Sequence, residues 1–226
     1  MKYNNRLWRL LLLLALTLTL CCACSGNSDS DERKKDEGLA FPYELDDGRL
    51  VVQSVMQFSG PNVDNENKED DNIAGLVLEN CSGSYLEQAE ITVKLKDGTK
   101  LSFAVQDLPT GLATIAFEKK NGLYEADAPV KSITCNPQYK EGDAMDARLT
   151  ATAENNLITV TNGSPETLSN IKVVYHTLAG DTYMGGTSYS VTIDALAPNE
   201  TFEHTASECW LGMAQIVGVF VADTEE

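Results

Sequence analysis

The chain of 226 residues is strongly acidic, with 34 Asp and Glu residues, 17 Lys and Arg residues and a formal charge of −17. Such a surface repels phosphate backbones, which argues against nucleic acid as a partner, and the length suits one or two domains. Three basic residues, Lys2, Arg6 and Arg9, precede the first acidic residue, so the chain beyond them has a formal charge near −20.

The amino terminus has the pattern of a secretory signal. The basic residues are followed by an apolar run at residues 10–20, interrupted only by Thr17 and Thr19. A spanning helix needs about 20 apolar residues, whereas a basic segment before a shorter apolar run is typical of a signal peptide. We therefore predict a signal peptide at residues 1–23.

The segment Ala23–Cys24–Ser25–Gly26 follows this run and resembles the end of the signal in bacterial lipoproteins. The resemblance implies that Cys24 becomes an amino terminus carrying acyl chains such as palmitate. Two or more chains anchor a protein stably to a membrane. Residues 25–38 are polar and cannot form a core. Residues 24–44 are thus predicted to be the lipidated cysteine and a flexible tether.

Residues 76–95 align without a gap with residues 158–177, which lie 82 positions later. Apolar residues alternate in both copies, and the Asn-x-Ser of the first copy matches the Asn-x-Ser of the second. Each copy indicates a strand, a polar connection supplying turn chemistry and a second strand. An internal repeat of this kind predicts two copies of one small β domain.

Short alternating segments separated by turn signals fill both halves, and none has the 3.6-residue apolar stripe of a helix. We therefore predict an all-β protein of two tandem antiparallel β-sandwich domains, at residues 45–138 and 145–226, with residues 136–144 as the joint. The nearly continuous apolar run at residues 216–221 predicts a final strand covered on both faces.

The repeated strand–Asn-x-Ser block and the Leu-Pro or Leu-Ala-Pro turn before a late strand resemble FxLYD-type domains. These are small immunoglobulin-like sandwiches of secreted and lipid-anchored proteins from Gram-positive bacteria. The resemblance covers most of residues 45–226 and implies no catalytic residues.

An acidic loop at residues 61–72 invites comparison with calcium sites, because Asp64, Glu66, Asp70 and Asp71 carry hard oxygen ligands. The spacing is poor: Lys68 takes the fifth position, and no glycine stands at the sixth. The pattern favours a solvated hairpin or loop insertion, and no metal site is predicted.

Few residues suggest catalysis. His176 and His204 are the only histidines; His176 follows Tyr175 in a strand and is expected to face away from the core. No nucleophile elbow, zinc-protease motif or phosphate-binding glycine loop is present. Gly185–Gly186 predicts a turn or bulge.

Beyond Cys24 the chain has three cysteines, Cys81, Cys135 and Cys209. Outside the cytoplasm Cys81 and Cys135 could form a disulfide, and the alternative is that the thiols are buried or free. The spacing fits no zinc site. Trp210, beside Cys209, could be a binding aromatic on a loop, but a core or half-buried position is expected.

These patterns favour a non-enzymatic protein on the outer face of the bacterial plasma membrane. It would bind an envelope protein, peptide or glycan, or act as a spacer, without a cofactor. A cell-envelope hydrolase is the alternative, and it requires a histidine to meet an acid and a nucleophile. A solute-binding subunit of a transporter ranks last, because such proteins are usually larger α/β structures.

Overall fold

The computed structural model describes residues 38–120, 122–142 and 144–221. The predicted signal peptide, Cys24 and residues 25–37 of the tether lie outside these residues. The described part is all-β, as predicted, with three short 3-10 turns and no α-helix. The strands are β1 Tyr43–Leu45, β2 Leu50–Asn62, β3 Lys68–Asn80, β4 Tyr85–Leu95, β5 Lys100–Leu108, β6 Ala113–Phe117, β7 Val130–Lys140, β8 Leu149–Glu154, β9 Leu157–Asn162, β10 Leu168–Ala179, β11 Thr182–Leu196, β12 Thr201–Thr205 and β13 Met213–Val221.

The two halves follow one strand plan. In the first half, β2, β3 and β6 are hydrogen-bonded neighbours, and β5, β4 and β7 form a separate sheet. In the second half, β8, β9 and β12 repeat the first set, and β11, β10 and β13 repeat the other. All pairs within these sets are antiparallel. The repeated sequence forms β3 and β4 in one half and β9 and β10 in the other.

A buried asparagine organises the connection between β3 and β4. Asn80 Nδ2 donates to the carbonyls of Ser84 (3.0 Å) and Leu108 (2.8 Å). Its Oδ1 accepts from the backbone N–H (3.1 Å) and the hydroxyl (2.6 Å) of Ser82. A side-chain amide has two donors and two acceptor lone pairs, so every one is used. The side chain thereby fastens this connection to the end of β5.

Asn162 repeats the arrangement between β9 and β10. Its Nδ2 donates to the carbonyls of Glu166 (2.7 Å) and Leu196 (2.8 Å). Its Oδ1 accepts from the N–H (2.9 Å) and the hydroxyl (2.8 Å) of Ser164. The Asn-x-Ser element that the repeat singles out is therefore a buried clamp in addition to a turn.

Each half has its own hydrophobic core between its two sets of strands. The first core is built mainly from β2, β3, β4, β5 and β7, and includes Leu50, Leu76, Leu78, Leu86, Ile91 and Phe103. The second is built from β8 to β11 and β13, and includes Ile158, Val160, Ile171, Val173, Tyr175 and Val219. Strands β4, β5 and β9 alternate between buried and more exposed side chains, the pattern expected of sheets buried on one face.

The halves are nonetheless joined through a sheet. Strand β6 pairs in parallel with β11, with Thr114 opposite Tyr183 and Ile115 opposite Met184. This pairing creates a seven-stranded sheet in the order β1-β2-β3-β6-β11-β10-β13. Both halves belong to one compact unit, Asp36–Glu226. The prediction of two tandem domains is therefore not confirmed.

Strands of the second half also contribute to the first core. Val174 of β10, Tyr183 of β11 and Val217 of β13 belong to it, whereas Val173 and Val219 belong to the second core. Strands β10 and β13 are thus covered on both faces, which confirms the prediction for the final strand.

The β2–β3 hairpin extends beyond the repeated plan and reaches the second half. Asp64, in its tip, accepts hydrogen bonds from the backbone N–H groups of Gly186 (2.8 Å) and Thr187 (2.9 Å). Gly185 has φ +86°, and a Cβ built on Gly186 would overlap the carbonyl oxygen of Ala104. The register shifts at this point of β11. The predicted hairpin and glycine bulge are both present, but the hairpin tip is docked and not fully solvated.

Two boundaries differ from the prediction. Residues 38–44, placed in the tether, carry apolar side chains that pack on the first core, and Leu39 N donates to the carbonyl of Val130 (2.8 Å). Strand β7 continues to Lys140, into the segment predicted as the joint. The sequence of that segment is polar because β7 is an edge strand with exposed side chains.

Candidate binding site

A cleft of about 250 Å³ lies where β4, β5 and β7 of the first half meet β10 and β13 of the second. Its walls therefore come from both halves. Six side chains line it: Tyr85, Glu87, Asp107, Lys140, Lys172 and Phe220.

Strand register places four of these side chains in pairs. Tyr85 of β4 lies opposite Lys140 of β7, and Lys172 of β10 lies opposite Phe220 of β13. Directly opposed residues in antiparallel strands project to the same face of their sheet. Each half thus supplies one aromatic ring and one ammonium group to the cleft.

A carboxylate and two hydroxyls brace one wall. Tyr85 Oη donates to Asp107 Oδ1 (2.9 Å), and Ser188 Oγ donates to Asp107 Oδ2 (2.6 Å). Burial, followed by the charge of Asp107, raises the pKa of Tyr85 far above its usual range, so the phenol stays protonated and remains a donor. Both oxygens of Asp107 are engaged within the protein, across the two halves.

The opposite wall is an aromatic ring supported by a glycine. A Cβ on Gly218 would lie 2.7 Å from ring carbons of Phe220, so only glycine lets the ring pack this closely on β13. The edge of Tyr85 meets Phe220 with a centroid separation of 6.1 Å. Lys140 Nζ lies 3.7 Å from the centroid of Phe220, a cation–π contact that holds the ammonium at the cleft.

Neither lysine of the cleft forms an ion pair with a residue that the structure describes. Ion pairs elsewhere include Lys119 with Glu90 (2.7 Å) and Lys68 with Glu66 (2.9 Å). Within the cleft, Asp107 is bound by hydroxyls, and Glu87 is exposed at the rim. The cleft therefore presents two ammonium groups whose charges the described part of the protein does not neutralise by direct pairing.

The possible disulfide between Cys81 and Cys135 is not formed in this structure. Cys81, Cys135 and Cys209 are free thiols, and Cys209 is fully buried. Burial is the largest cause that raises the pKa of Cys81, and it raises the pKa of Cys135 to about 11. Thiols of this kind are protonated at neutral pH and are weak nucleophiles. Cys24 lies outside the described residues.

The expectation for His176 is wrong. Its side chain is fully buried, its Nε2 lies 3.0 Å from the carbonyl of Gln106, and its ring stacks on Tyr183 at 5.1 Å. The reason is that β10 has a core on each side, so the face turned away from the second core is turned towards the first. Burial lowers the pKa of His176, which keeps the imidazole neutral.

His204 does meet an acid, but through a phenol. Its Nε2 lies 3.2 Å from Tyr175 Oη, which also donates to Glu208 Oε2 at 3.5 Å. Burial and then the charge of Glu208 raise the pKa of Tyr175, so this hydroxyl is a poor nucleophile. The arrangement does not bring the histidine, an acid and an activated nucleophile together as a hydrolase requires.

The acidic loop uses its carboxylates internally. Asp64 binds backbone amides of β11, and Asp70 accepts from the side chains of Asn62 (2.8 Å) and Asn65 (3.4 Å). Over residues 38–120, 122–142 and 144–221, no group of three or more His, Cys, Asp or Glu side chains is placed to hold a metal ion. The loop's observed role is to dock the hairpin tip.

Trp210 is 58% exposed on the turn before β13, so the expected core or half-buried position is wrong. The adjacent Cys209 fills the core position instead.

In the part of the chain that the structure describes, no helix is long and apolar enough to cross a membrane.

No protein-family model, curated protein or solved structure matches the chain. What the fold defines is a class: an all-β protein with two hydrophobic cores, joined by a shared sheet and flanking a two-sided cleft.

The cleft residues were not singled out from the sequence. Lys140 fell in the predicted joint, and Lys172 and Phe220 were ordinary positions of predicted strands. They are separated by 32 residues or more along the chain, and no local pattern connects them. The one available signal was compositional, since basic residues are half as numerous as acidic residues in this chain.

Proposed function

We propose that the protein is a lipid-anchored, non-enzymatic binding module on the outer face of the bacterial plasma membrane. The observation that carries the binding role is the cleft with two unpaired ammonium groups and walls from both halves. The anchor is supported separately, by the basic segment, the apolar run and the Ala-Cys-Ser-Gly sequence around Cys24.

The repeated plan supports a relation to FxLYD-type, immunoglobulin-like domains of Gram-positive bacteria. On this proposal the chain holds two tandem sandwiches whose strands became one sheet through the β6–β11 pair. Such a pair is stiffer than two domains on a flexible linker, because β-sheet hydrogen bonds and a shared core replace the linker. The rigid joint keeps the two walls of the cleft in register.

The proposed partners are the membrane, through acyl chains on Cys24, and an envelope protein, peptide or glycan at the cleft. No cofactor is needed for such a role. The acidic surface keeps the module soluble and discourages contact with anionic lipid headgroups. The tether of residues 25–37 would set how far the module stands from the lipid.

Fractionation of cells that express the full chain tests the anchor. Wild type is expected in the membrane fraction with incorporated fatty acid, and Cys24→Ala is expected to lose both. Cys22→Ala is the matched control, because it removes a neighbouring thiol and leaves the proposed lipidation site intact. Retention and labelling of the Cys24→Ala chain would contradict the proposal.

A photo-crosslinking residue tests the binding role. Placed at Glu87 on the cleft rim, it is expected to capture a discrete envelope component. The same residue at Lys131, an exposed position of β7, is the control. Equal capture from both positions, or none from Glu87, would speak against a binding cleft.

A further inference from the structure

We propose that the cleft binds a small anionic group, a carboxylate or a phosphate, between the ammonium groups of Lys140 and Lys172. This inference rests on the proposed binding role and names the chemistry of the ligand.

The two lysines supply the hydrogen-bond donors. A lysine ammonium has three N–H donors and no acceptor. Lys140 uses one face of its ammonium on the ring of Phe220, which positions the group and leaves hydrogens directed elsewhere. Lys172 is exposed at the cleft and forms no ion pair with a described residue. Donors on two sides of one cleft suit an anion with several acceptor oxygens, because charge-assisted hydrogen bonds are the strong ones.

The cleft's own acids do not serve as this anion. Asp107 accepts one hydroxyl at each oxygen, from Tyr85 and from Ser188, and forms no ion pair with either lysine. Glu87 is exposed at the rim, where water screens its charge. A bound carboxylate or phosphate would fill the position between the lysines that neither acid takes.

The two walls of the cleft carry aromatic rings. Phe220 and Tyr85 meet edge to face, and Lys140 Nζ lies 3.7 Å from the centroid of the Phe220 ring. An apolar surface next to a pair of cations limits competition from water and strengthens the charge interaction. The volume of about 250 Å³ suits a small group and not a folded surface.

Titration of the full-length chain with inorganic phosphate and, separately, with N-acetylglutamate at low salt tests the proposal. We expect saturable calorimetric binding of at least one anion, with amide shifts confined to the strands that line the cleft. Tighter phosphate binding assigns the ligand group as phosphate, and tighter N-acetylglutamate binding assigns it as carboxylate.

Variants make the test specific. Lys140→Gln and Lys172→Gln are each expected to weaken binding about tenfold, as expected for the loss of one charge-assisted hydrogen bond. Lys131→Gln, on the same strand as Lys140 and exposed, is expected to leave affinity unchanged. Glu87→Gln is expected to strengthen binding, since it removes a neighbouring negative charge.

Absence of saturable binding, or equal binding by wild type and both cleft-lysine variants, would overturn the proposal. Such a failure is distinguishable from failure of the proposed function. The fractionation of Cys24→Ala and crosslinking from position 87 report on anchoring and on any occupant, whether or not that occupant is an anion.

Discussion

Asn80 and Asn162 show how single residues define the repeated plan. Each amide is fully buried, and each makes four hydrogen bonds that use all of its donors and acceptors. A satisfied buried amide is tolerated in a core, whereas a partly satisfied group is costly. The two clamps therefore explain why an Asn-x-Ser element stands at the same place in both copies.

Replacing Asn162 by Ala should destabilise the protein by about 2–4 kcal/mol, because it removes the buried hydrogen bond to the carbonyl of Leu196, removes the acceptor for the N–H of Ser164 and leaves a cavity where the buried amide stood. Urea unfolding measures the difference. Asn136→Ala, at an exposed position of β7, is the control and should stay within about 0.5 kcal/mol of wild type. Equal stability of the two variants would show that the clamp contributes nothing.

His176 makes stability depend on pH. Burial is the main cause that lowers the pKa of His176, opposed in part by Asp107 and Asp64. The unfolded chain, with a pKa of about 6.5 at this residue, therefore binds the proton more readily than the folded protein. The contribution of neutral His176 to the free energy of unfolding is therefore complete above about pH 6.5. It is lost as the pH falls, by up to about 1.4 kcal/mol per pH unit, until the pH reaches the folded-state pKa.

Urea midpoints of wild type and His176→Gln, compared between pH 7.5 and 5, check this expectation. The glutamine amide can still donate towards the carbonyl of Gln106 and does not titrate. The stability of wild type should fall more steeply with acid than that of the variant. Parallel curves would mean that the histidine is not held neutral by the fold.

The long β2–β3 hairpin is the element that departs most from the repeated plan. Its tip docks because Asp64 caps the N–H groups of a glycine bulge in β11. The bulge requires glycine because a side chain at Gly186 would collide with the backbone of β5. The acidic loop and the glycine pair, which are remote in sequence, are thus two parts of a single contact.

Gly186→Ala should destabilise the protein by about 3 kcal/mol, because the new methyl group meets a backbone carbonyl that cannot move alone. Gly83→Ala is the control: its Cβ would have nothing within 4 Å, and its backbone has no positive φ. Thermal unfolding should separate the two. A Gly186→Ala protein as stable as Gly83→Ala would contradict the close approach of β5 and β11.

For the molecule as a whole, the shared sheet and the mixed membership of the first core predict that the halves unfold together. Ile158 is fully buried in the second core, and Ile158→Ala should cost about 2–5 kcal/mol. Hydrogen exchange in β4, in the other half, should then speed up as well. Leu123→Ala, at a position 80% exposed, should leave exchange unchanged. If Ile158→Ala left hydrogen exchange in β4 unchanged, the two halves would be unfolding independently.

Strand alternation, turn signals and the internal repeat were enough to predict an all-β chain with two similar halves. Two of the turn signals, Asp97–Gly98 and Pro109–Thr110–Gly111, lie between β4 and β5 and between β5 and β6. These features can be predicted because the two-residue alternation of a strand and the residue preferences of a turn each involve only a few neighbouring positions. The apolar run that became β13 likewise indicated burial on both faces.

The β6–β11 pair, the docked hairpin and the cleft could not be predicted in the same way. Each joins segments far apart in sequence. The residues at the edge of a strand do not specify which other strand will pair with it. Strand β10 illustrates the difficulty: it is covered on both faces, yet His176 and Thr177 interrupt its apolar run, so alternation suggested an outward histidine. The sequence pattern by itself determines which side chains are apolar and will be buried. Only the packing of the tertiary structure determines which surfaces bury them.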